Sequence, residues 1–397
     1  MNKKSISKTK RNSGNAPKPA PKSAPTPALV PSSASTPTPV SLPDSGKSRG
    51  YWSETWHRFR RRKLAMAALC YIFFLSLTAI FSPMIAGTKP IVCQYRGHLY
   101  FPCLGYFNSR WENAIFFEDD IVRAYPRRLK EADPQSWAVF PLVFNDTLYR
   151  VRENDLPGRP ENPYGTHGHP SWQNPCGTNV YGYDVFAMLV HGTRTALLVG
   201  FVSTGLAALI GITLGAFAGY FGGWTDIVIS RFIEVVLCVP TLVLILAAVA
   251  IIERPNIWWI MAIIGVTSWP GIARLTRGEF IKLKQSEYVS AARSLGASQT
   301  RIIFRHILPN ALAPVLVPIT FSIAAAILLE SSLSFLGIST SSTSISWGTI
   351  LNDGHRNLAM WWLTLFPGTL IFMTVLAYNL IGEALQEVTD PRQRGAR

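Results

Sequence analysis

Six stretches of the chain carry no charged side chain and are apolar over most of their length. They are Leu64–Thr88, Thr195–Thr225, Val235–Ile252, Pro255–Ala273, Ile307–Leu329 and Asn357–Gly382. A helix that crosses a bilayer needs about 20 predominantly apolar residues, and each stretch meets that length, the longer ones after trimming. The pattern predicts an all-α polytopic membrane protein with six transmembrane helices. The first stretch does not read as a secretory signal. It follows 63 residues of other sequence, its apolar core is too long, and no A-x-A cleavage site follows it. Just ahead of it, Trp52, Trp56 and Phe59 recur at helical spacing beside His57 and the run Arg60–Lys63. That spacing predicts a short interfacial helix over Tyr51–Lys63, capped by Ser53.

Orientation follows from the basic flanks of short connections. Arg60–Lys63 place the N-terminus inside, and an even number of spans places Arg392, Arg394 and Arg397 inside as well. The connection between the fourth and fifth spans is then also inside, with Arg274, Arg277, Lys282, Lys284, Arg293, Arg301 and Arg305. The connections around Glu253 and Ser339 fall outside. So does the long segment from Lys89, whose arginines do not count because connections beyond about 60 residues escape the rule. Within that segment, Pro90–Phe101 reads as a hairpin turning at Arg96-Gly97, Trp137–Phe144 as strand-like, and Glu153–Pro175 as extended. A small ordered extracytoplasmic subdomain is expected.

Composition sharpens this picture. Only 15% of the residues are charged, against about 25% in soluble proteins. Of the formal net charge of +15, residues 1–63 contribute +12, with 14 Lys/Arg against Asp44 and Glu54. A basic tail on a nearly neutral apolar body excludes a nucleic-acid-binding domain, which spreads basic residues over a folded surface. Nine prolines between Pro17 and Pro43 mark 1–50 as a disordered tail. The five cysteines form no C-x-x-C pair. Cys70 and Cys238 fall in apolar runs. Cys93 and Cys103 would be free to bridge outside the cytoplasm, without anything in the sequence requiring it.

Several chemistries lack their residues. Gly46-Lys47-Ser48 imitates the end of a phosphate loop, but Ser41 stands where its first glycine belongs. His167, His169 and Cys176 are poor metal candidates without a His pair at i, i+4. No Ser/His/Asp set stands out, so neither catalytic, cofactor-binding nor metal-ligating residues are assigned. Among membrane-edge charges, Arg231 and Glu234 read as a local pair, and Glu330 as a packing residue bonded through Ser331 or Ser334 rather than a proton relay.

The segment Glu287–Asn310, EYVSAARSLGASQTRIIFRHILPN, carries a positive signal. Glu287–Leu295 is good helix sequence with acid at its start. Gly296 ends it, Ser298 can cap a second helix toward Arg305, and Pro309 begins the return to the membrane. The result is a protruding helix–Gly–helix hairpin with small residues Ser290, Ala291, Ala292 and Ala297 around its tip. In the second span, Gly211, Gly215 and Gly219 form two overlapping G-x-x-x-G patterns that permit close helix packing. Pro240 and Pro270 can kink the third and fourth spans.

The hairpin resembles the EAA loop of ABC importer membrane subunits, E-A-A-x(3)-G-x(9)-I-x-L-P. Ser290-Ala291-Ala292, Gly296 and Leu308-Pro309 match, while Ser290 replaces the Glu and His306 the Ile. Gly177–Gly200 looks like the G-T-D-x-x-G-R-D…G-x-R-x-S-L-x-x-G signature of the dipeptide/oligopeptide permease branch, with Asn179 and Tyr183 departing from it. Gly219–Pro240, Leu333–Gly337, Trp347-Gly348 and Thr389–Arg392 are similar to that branch too, and the external insert is similar to that of the microcin C/oligopeptide permease subunit.

The resemblance implies the type I ABC importer permease fold. It also implies a division into a tail 1–50, an interfacial helix and first span 51–88, an insert 89–191, a five-helix core 192–385 with a coupling loop 278–310, and a C-terminal tail 386–397. It implies that Glu287, Ser290, Ala291, Ala292, Arg293, Leu295, Gly296, Ala297, Leu308 and Pro309 dock on an ATPase subunit. The implied partners are ATPase subunits holding ATP and Mg, a second homologous permease, a periplasmic solute-binding protein contacted by the insert, and membrane lipid. This chain itself would hold no cofactor. The competing readings are an ion- or proton-coupled carrier, disfavoured by the hairpin and the missing proton relay, and a membrane-anchored enzyme, disfavoured by the missing catalytic residues.

Overall fold

The computed structural model describes residues 51–106, 129–131, 133–145, 147, 168–172, 174–252, 256–338 and 345–389. The tail 1–50, the connections at Glu253 and Ser339, most of the extended segment after Glu153, His167 and the C-terminal arginines lie outside them.

Helix α1 (Tyr51–Arg60) leads into α2 (Lys63–Ile80) and a single turn, α3 (Ser82–Ile85). Ser53 falls inside the first turn of α1 rather than ahead of it, and the apolar run breaks at Phe81 before reaching Thr88. The reason is local: Pro83 sits at the start of α3, where its fixed φ suits a new helix and not the interior of the old one. In the insert, β1 (Val92–Tyr95) and β2 (His98–Tyr100) form the hairpin around Arg96-Gly97, with Cys93 opposite Tyr100. Strand β3 (Trp137–Val139) joins the other edge of β1, with Cys93 opposite Ala138. Cys93 and Cys103 are buried free thiols rather than a bridge. Cys93 packs against Leu129, while Cys103 points its thiol at the Ile91 carbonyl, 3.4 Å away. Burial pushes the Cys93 thiol up to about 11 and that of Cys176, with the Asp184 carboxylate adding to the effect, up to about 12.

The long helix α4 (Val185–Phe221) starts inside the stretch assigned to the insert. Its N-cap is Asp184, whose Oδ1 accepts from the Ala187 N–H at 2.8 Å. Reading for uncharged runs hid this start because His191 and Arg194 lie within the first turns. After the turn at Gly222-Gly223, both at positive φ, come α5 (Gly223–Leu237) and α6 (Thr241–Ala250). These two are bent by 83° across the break, where Pro240 withholds an N–H and biases Val239 away from helix. Pro270, in contrast, sits within an uninterrupted α7 (Ile257–Lys284). Then come α8 (Glu287–Ser294), α9 (Gln299–Phe335), α10 (Trp347–Arg356) and α11 (Trp362–Thr389).

Among the described residues four helices, α2, α4, α9 and α11, are long and apolar enough to cross a membrane, and five spans result if the bent pair α5–α6 is one. The expected sixth, α7, couples an apolar first half to a second half bearing Arg274, Arg277, Glu279, Lys282 and Lys284. It falls short of that standard because an amphipathic end dilutes its apolar part.

The packing defines two ends. At one, the start of α4 meets α3 through Ala86, Ala187 and Val190. The Trp347 and Trp362 indoles there donate to the Leu189 and Thr178 carbonyls at 3.0 and 2.9 Å. At the other, Phe59 and Ala65 pack on Ala384 and Val388, and Arg62 pairs with Glu387. The end of α4 lies at this second end, with Tyr220 beside Phe280, Val289 and Ile302. Between the ends, α4 and α7 run in close contact along a glycine face. A Cβ on Gly211 would lie 2.9 Å from the Trp269 carbonyl oxygen. On Gly215 it would lie 2.5 Å from the Ala273 carbonyl oxygen, and on Gly219 2.6 Å from that of Arg277.

Candidate functional site: the hairpin between α7 and α9

The first leg of the hairpin is α8, with Glu287 in its opening turn, where an acid complements the helix N-terminus. The leg ends in a Schellman motif. The Ala297 N–H donates to the Ala292 carbonyl at 3.1 Å and the Gly296 N–H to the Arg293 carbonyl at 3.0 Å. Gly296 carries φ +78°, and nothing lies within 4 Å of where its Cβ would be. Backbone conformation, not space, therefore selects glycine there. Ser298 caps the second leg, accepting from the Arg301 N–H at 3.4 Å.

This second leg corrects the expectation for Pro309. The helix does not begin at that proline but runs through it, from Gln299 to Phe335, with Ile302–Ile307 wound as a π-helix. The Leu308 N–H reaches the Ile303 carbonyl, five residues back. In a regular α-turn the Pro309 ring would collide with the Arg305 carbonyl, and the widened turn just ahead of it relieves the clash.

The hairpin is anchored from within and open at its tip. Val289, Ile302 and Ile307 are buried against Phe280, Tyr220 and Ala311. Glu287, Ser290, Ala291, Arg293, Gly296 and Pro309 are exposed, and Ala292, Ala297 and Leu308 are half-buried. Leu295, at the apex, is 88% exposed. Beside the second leg, an apolar cavity of about 290 Å³ is lined by Ala216, Phe217, Phe280, Ile303, Phe304 and Leu308, among others.

Polar contacts that no periodicity reveals fasten this end together. Arg277 on α7 grips Asp226 in the first turn of α5 with a two-pronged bond, Nε to Oδ1 and Nη2 to Oδ2, the latter at 2.7 Å. Ser230 adds a bond to the same carboxylate at 3.3 Å. Lys284 donates to the Tyr220 carbonyl at 2.5 Å and lies over the Tyr220 ring. The sequence drew attention instead to Arg231 and Glu234, which form an exposed pair at 2.6 Å within α5. The one available signal for Asp226 is its place just after Gly222-Gly223, where a helix must begin. Glu330 is buried in α9 and accepts from Ser334 at 2.8 Å and Ser331 at 3.5 Å. Among the described residues no cluster of His, Cys, Asp and Glu could hold a metal ion.

The chain is predominantly helical, with several helices apolar enough to span a membrane and a protruding hairpin between two of its helices. The comparisons place it further. Residues 211–395 match the family described as the binding-protein-dependent transport system inner membrane component. Residues 50–98 match the N-terminal TM domain of oligopeptide transport permease C. The inner membrane ABC transporter permease protein YejE of Escherichia coli K12 is 33% identical over 342 residues, covering 85% of this chain and 96% of that protein. The dipeptide transport system permease protein DppC of Alkalihalophilus pseudofirmus is 38% identical over 234 residues, 59% and 77% of the two chains. A chain of the MetNI methionine ABC transporter, solved in inward-facing conformations, is 18% identical with a TM-score of 0.41, covering 51% of this chain and 97% of its own.

The chain belongs to the family of integral-membrane permease subunits of ABC importers. Within it, the chain falls with the branch whose members are named dipeptide and oligopeptide permeases. The self-contained carrier is thereby set aside.

Proposed function

We propose that this subunit forms half of a pathway for peptides or peptide-like solutes across the inner membrane, the other half coming from a second homologous permease. The N-terminus, the C-terminus and the hairpin face the cytoplasm, and the insert faces a solute-binding protein outside. The hairpin seats in an ATPase subunit, and ATP and Mg are held there and not in this chain. The observation that carries the reading is Leu295. Almost fully exposed at the apex of a hairpin whose base is buried, it offers an apolar contact to a partner's surface. Small neighbours at Ser290, Ala291 and Ala292 let that partner approach closely. The names of the relatives support the peptide class of cargo.

The test is purification of the tagged chain from its host in mild detergent, with ATP-driven peptide uptake measured in parallel. A P-loop ATPase and a second permease are expected in stoichiometric amounts. Leu295→Asp and Gly296→Pro should lose the ATPase and uptake while keeping the second permease. An ATPase that stays bound to both variants, or solute movement by the chain alone without ATP, would overturn the proposal.

A further inference from the structure

We propose that Asp226 and Arg277 are positioning residues of the transport cycle, a latch that carries movement of the hairpin from α7 into the broken helix pair α5–α6. The inference rests on the docking role of the hairpin proposed above. Helix α7 passes into α8 with only Gln285 and Ser286 between them, and both are tied back to α7. The Gln285 N–H bonds the Lys282 carbonyl at 3.3 Å and the Ser286 N–H the Leu283 carbonyl at 3.1 Å. A displaced hairpin therefore displaces the end of α7. That end is held laterally at two points, Lys284 on the last turn of α4 and Arg277 on the first turn of α5.

Helix α5 is otherwise held by one apolar face, with Ile229 and Val236 partly buried beside Ile233 against α4 and α7. Ile233 is its only fully buried residue, and beyond it the Phe232 ring stacks on Trp269 of α7 at 5.5 Å. The latch and that stack hold α5 to α7 near its start and in its second half, and the chain then turns through 83° into α6. Motion arriving at Arg277 thus reaches the break at Pro240 through a rod fixed at both points. A guanidinium suits the task because its fork engages both carboxylate oxygens and fixes orientation, where a lysine would hold a single point. The paired side chains are 33% and 22% exposed, so the bond is partly shielded from solvent screening.

The experiment uses the whole complex reconstituted in vesicles, reading peptide transported per ATP hydrolysed, ATPase retention on purification, and Asp226→Asn, Arg277→Lys and the exchanged double variant Asp226→Arg/Arg277→Asp. Both single variants should keep the ATPase subunits bound yet lose coupling, roughly tenfold in peptide moved per ATP. The double variant should recover a substantial part of it. Wild-type coupling in Asp226→Asn would overturn the latch, as would a double variant no better than the singles. Loss of the ATPase from the single variants would reduce the pair to a structural support and also overturn it. Failure of the docking reading shows separately, as an ATPase that stays on the Leu295→Asp complex.

Discussion

Replacing Gly215 by alanine probes the contact on which the helical core depends. The added methyl would stand 2.5 Å from the Ala273 carbonyl oxygen, 2.8 Å from Thr276 Cβ and 3.1 Å from the Arg277 nitrogen. Two of these are backbone atoms of α7, which no side-chain rotation moves aside. Relief requires the helices to separate by several tenths of an ångström, and Gly211 and Gly219 hold the same face close as well, at 2.9 and 2.6 Å. Overpacking of this kind costs about 1–3 kcal/mol. Alanine is also a better helix former than glycine by about 0.5–1 kcal/mol, which offsets part of the cost. Gly205→Ala provides the control: it lies on the same helix with nothing within 4 Å of its Cβ position, so only the propensity gain applies. The difference between the two variants isolates the packing penalty at about 1–3 kcal/mol. Thermal unfolding of the purified protein in one detergent should show Gly205→Ala at or above the wild type and Gly215→Ala several degrees below it. Equal midpoints for the two would refute the close α4–α7 packing.

Other positions give separable outcomes. At Gly296 the demand is for positive φ in open space, so Gly296→Asn should keep most uptake, while Gly296→Val should lose it through a backbone penalty of about 1–2 kcal/mol. Comparable uptake by the two variants would contradict the left-handed cap. The Cys93 and Cys176 thiols, fully protonated at neutral pH with values near 11 and 12, should resist maleimide on the folded protein at pH 7 and label after denaturation, as judged by mass. Raising the pH to 9 should change this little, since deprotonation begins only as pH nears those raised values. Because Cys93 and Cys103 are free, no disulfide-linked peptide should appear in a non-reducing digest.

The spans that were legible in the sequence are those whose apolar stripe does not depend on a partner. Helices α9 and α11 contain most of the uncharged runs that announced them because each is apolar over more than a bilayer's thickness, although α9 starts eight residues before its run. The limits of the reading show where charge is tolerated inside a helix. Helix α4 begins at Val185 because Asp184 caps it, although His191 and Arg194 interrupt the hydropathic pattern. The imidazole of His191 lies 2.9 Å from the Ala86 carbonyl, so tertiary contact accommodates what the pattern counted as a boundary. Pro240 and Pro270 look alike in sequence, yet one ends a helix and the other does not. A proline's effect depends on its surroundings, and Pro270 is flanked by Trp269, Ile272 and Ala273, all buried against α4 and α5.

The hairpin was readable for a related reason and the latch was not. Everything that shapes the hairpin is local: Glu287 at a helix start, Gly296 two residues before the Ser298 cap, and Pro309 after the π-turn all act within a few residues of their own backbone. Asp226 and Arg277 are 51 residues apart, on helices whose mutual register is set by three glycines on a third element, α4. The step from Gly211 through Gly215 to Gly219 lets α7 approach α4 closely, and that places Arg277 beside the turn at Gly222-Gly223 where α5 begins. The glycine pattern and the Arg–Asp bond are thus one feature. Small residues set the distance at which the charges can meet, so widening the α4–α7 contact by Gly219→Leu, whose side chain presses on the Arg277 carbonyl, should weaken the latch with both charged side chains left in place. In the vesicle assay that variant should resemble Asp226→Asn in peptide moved per ATP. Coupling at the wild-type level would show that α5 finds Arg277 without the help of the glycine face.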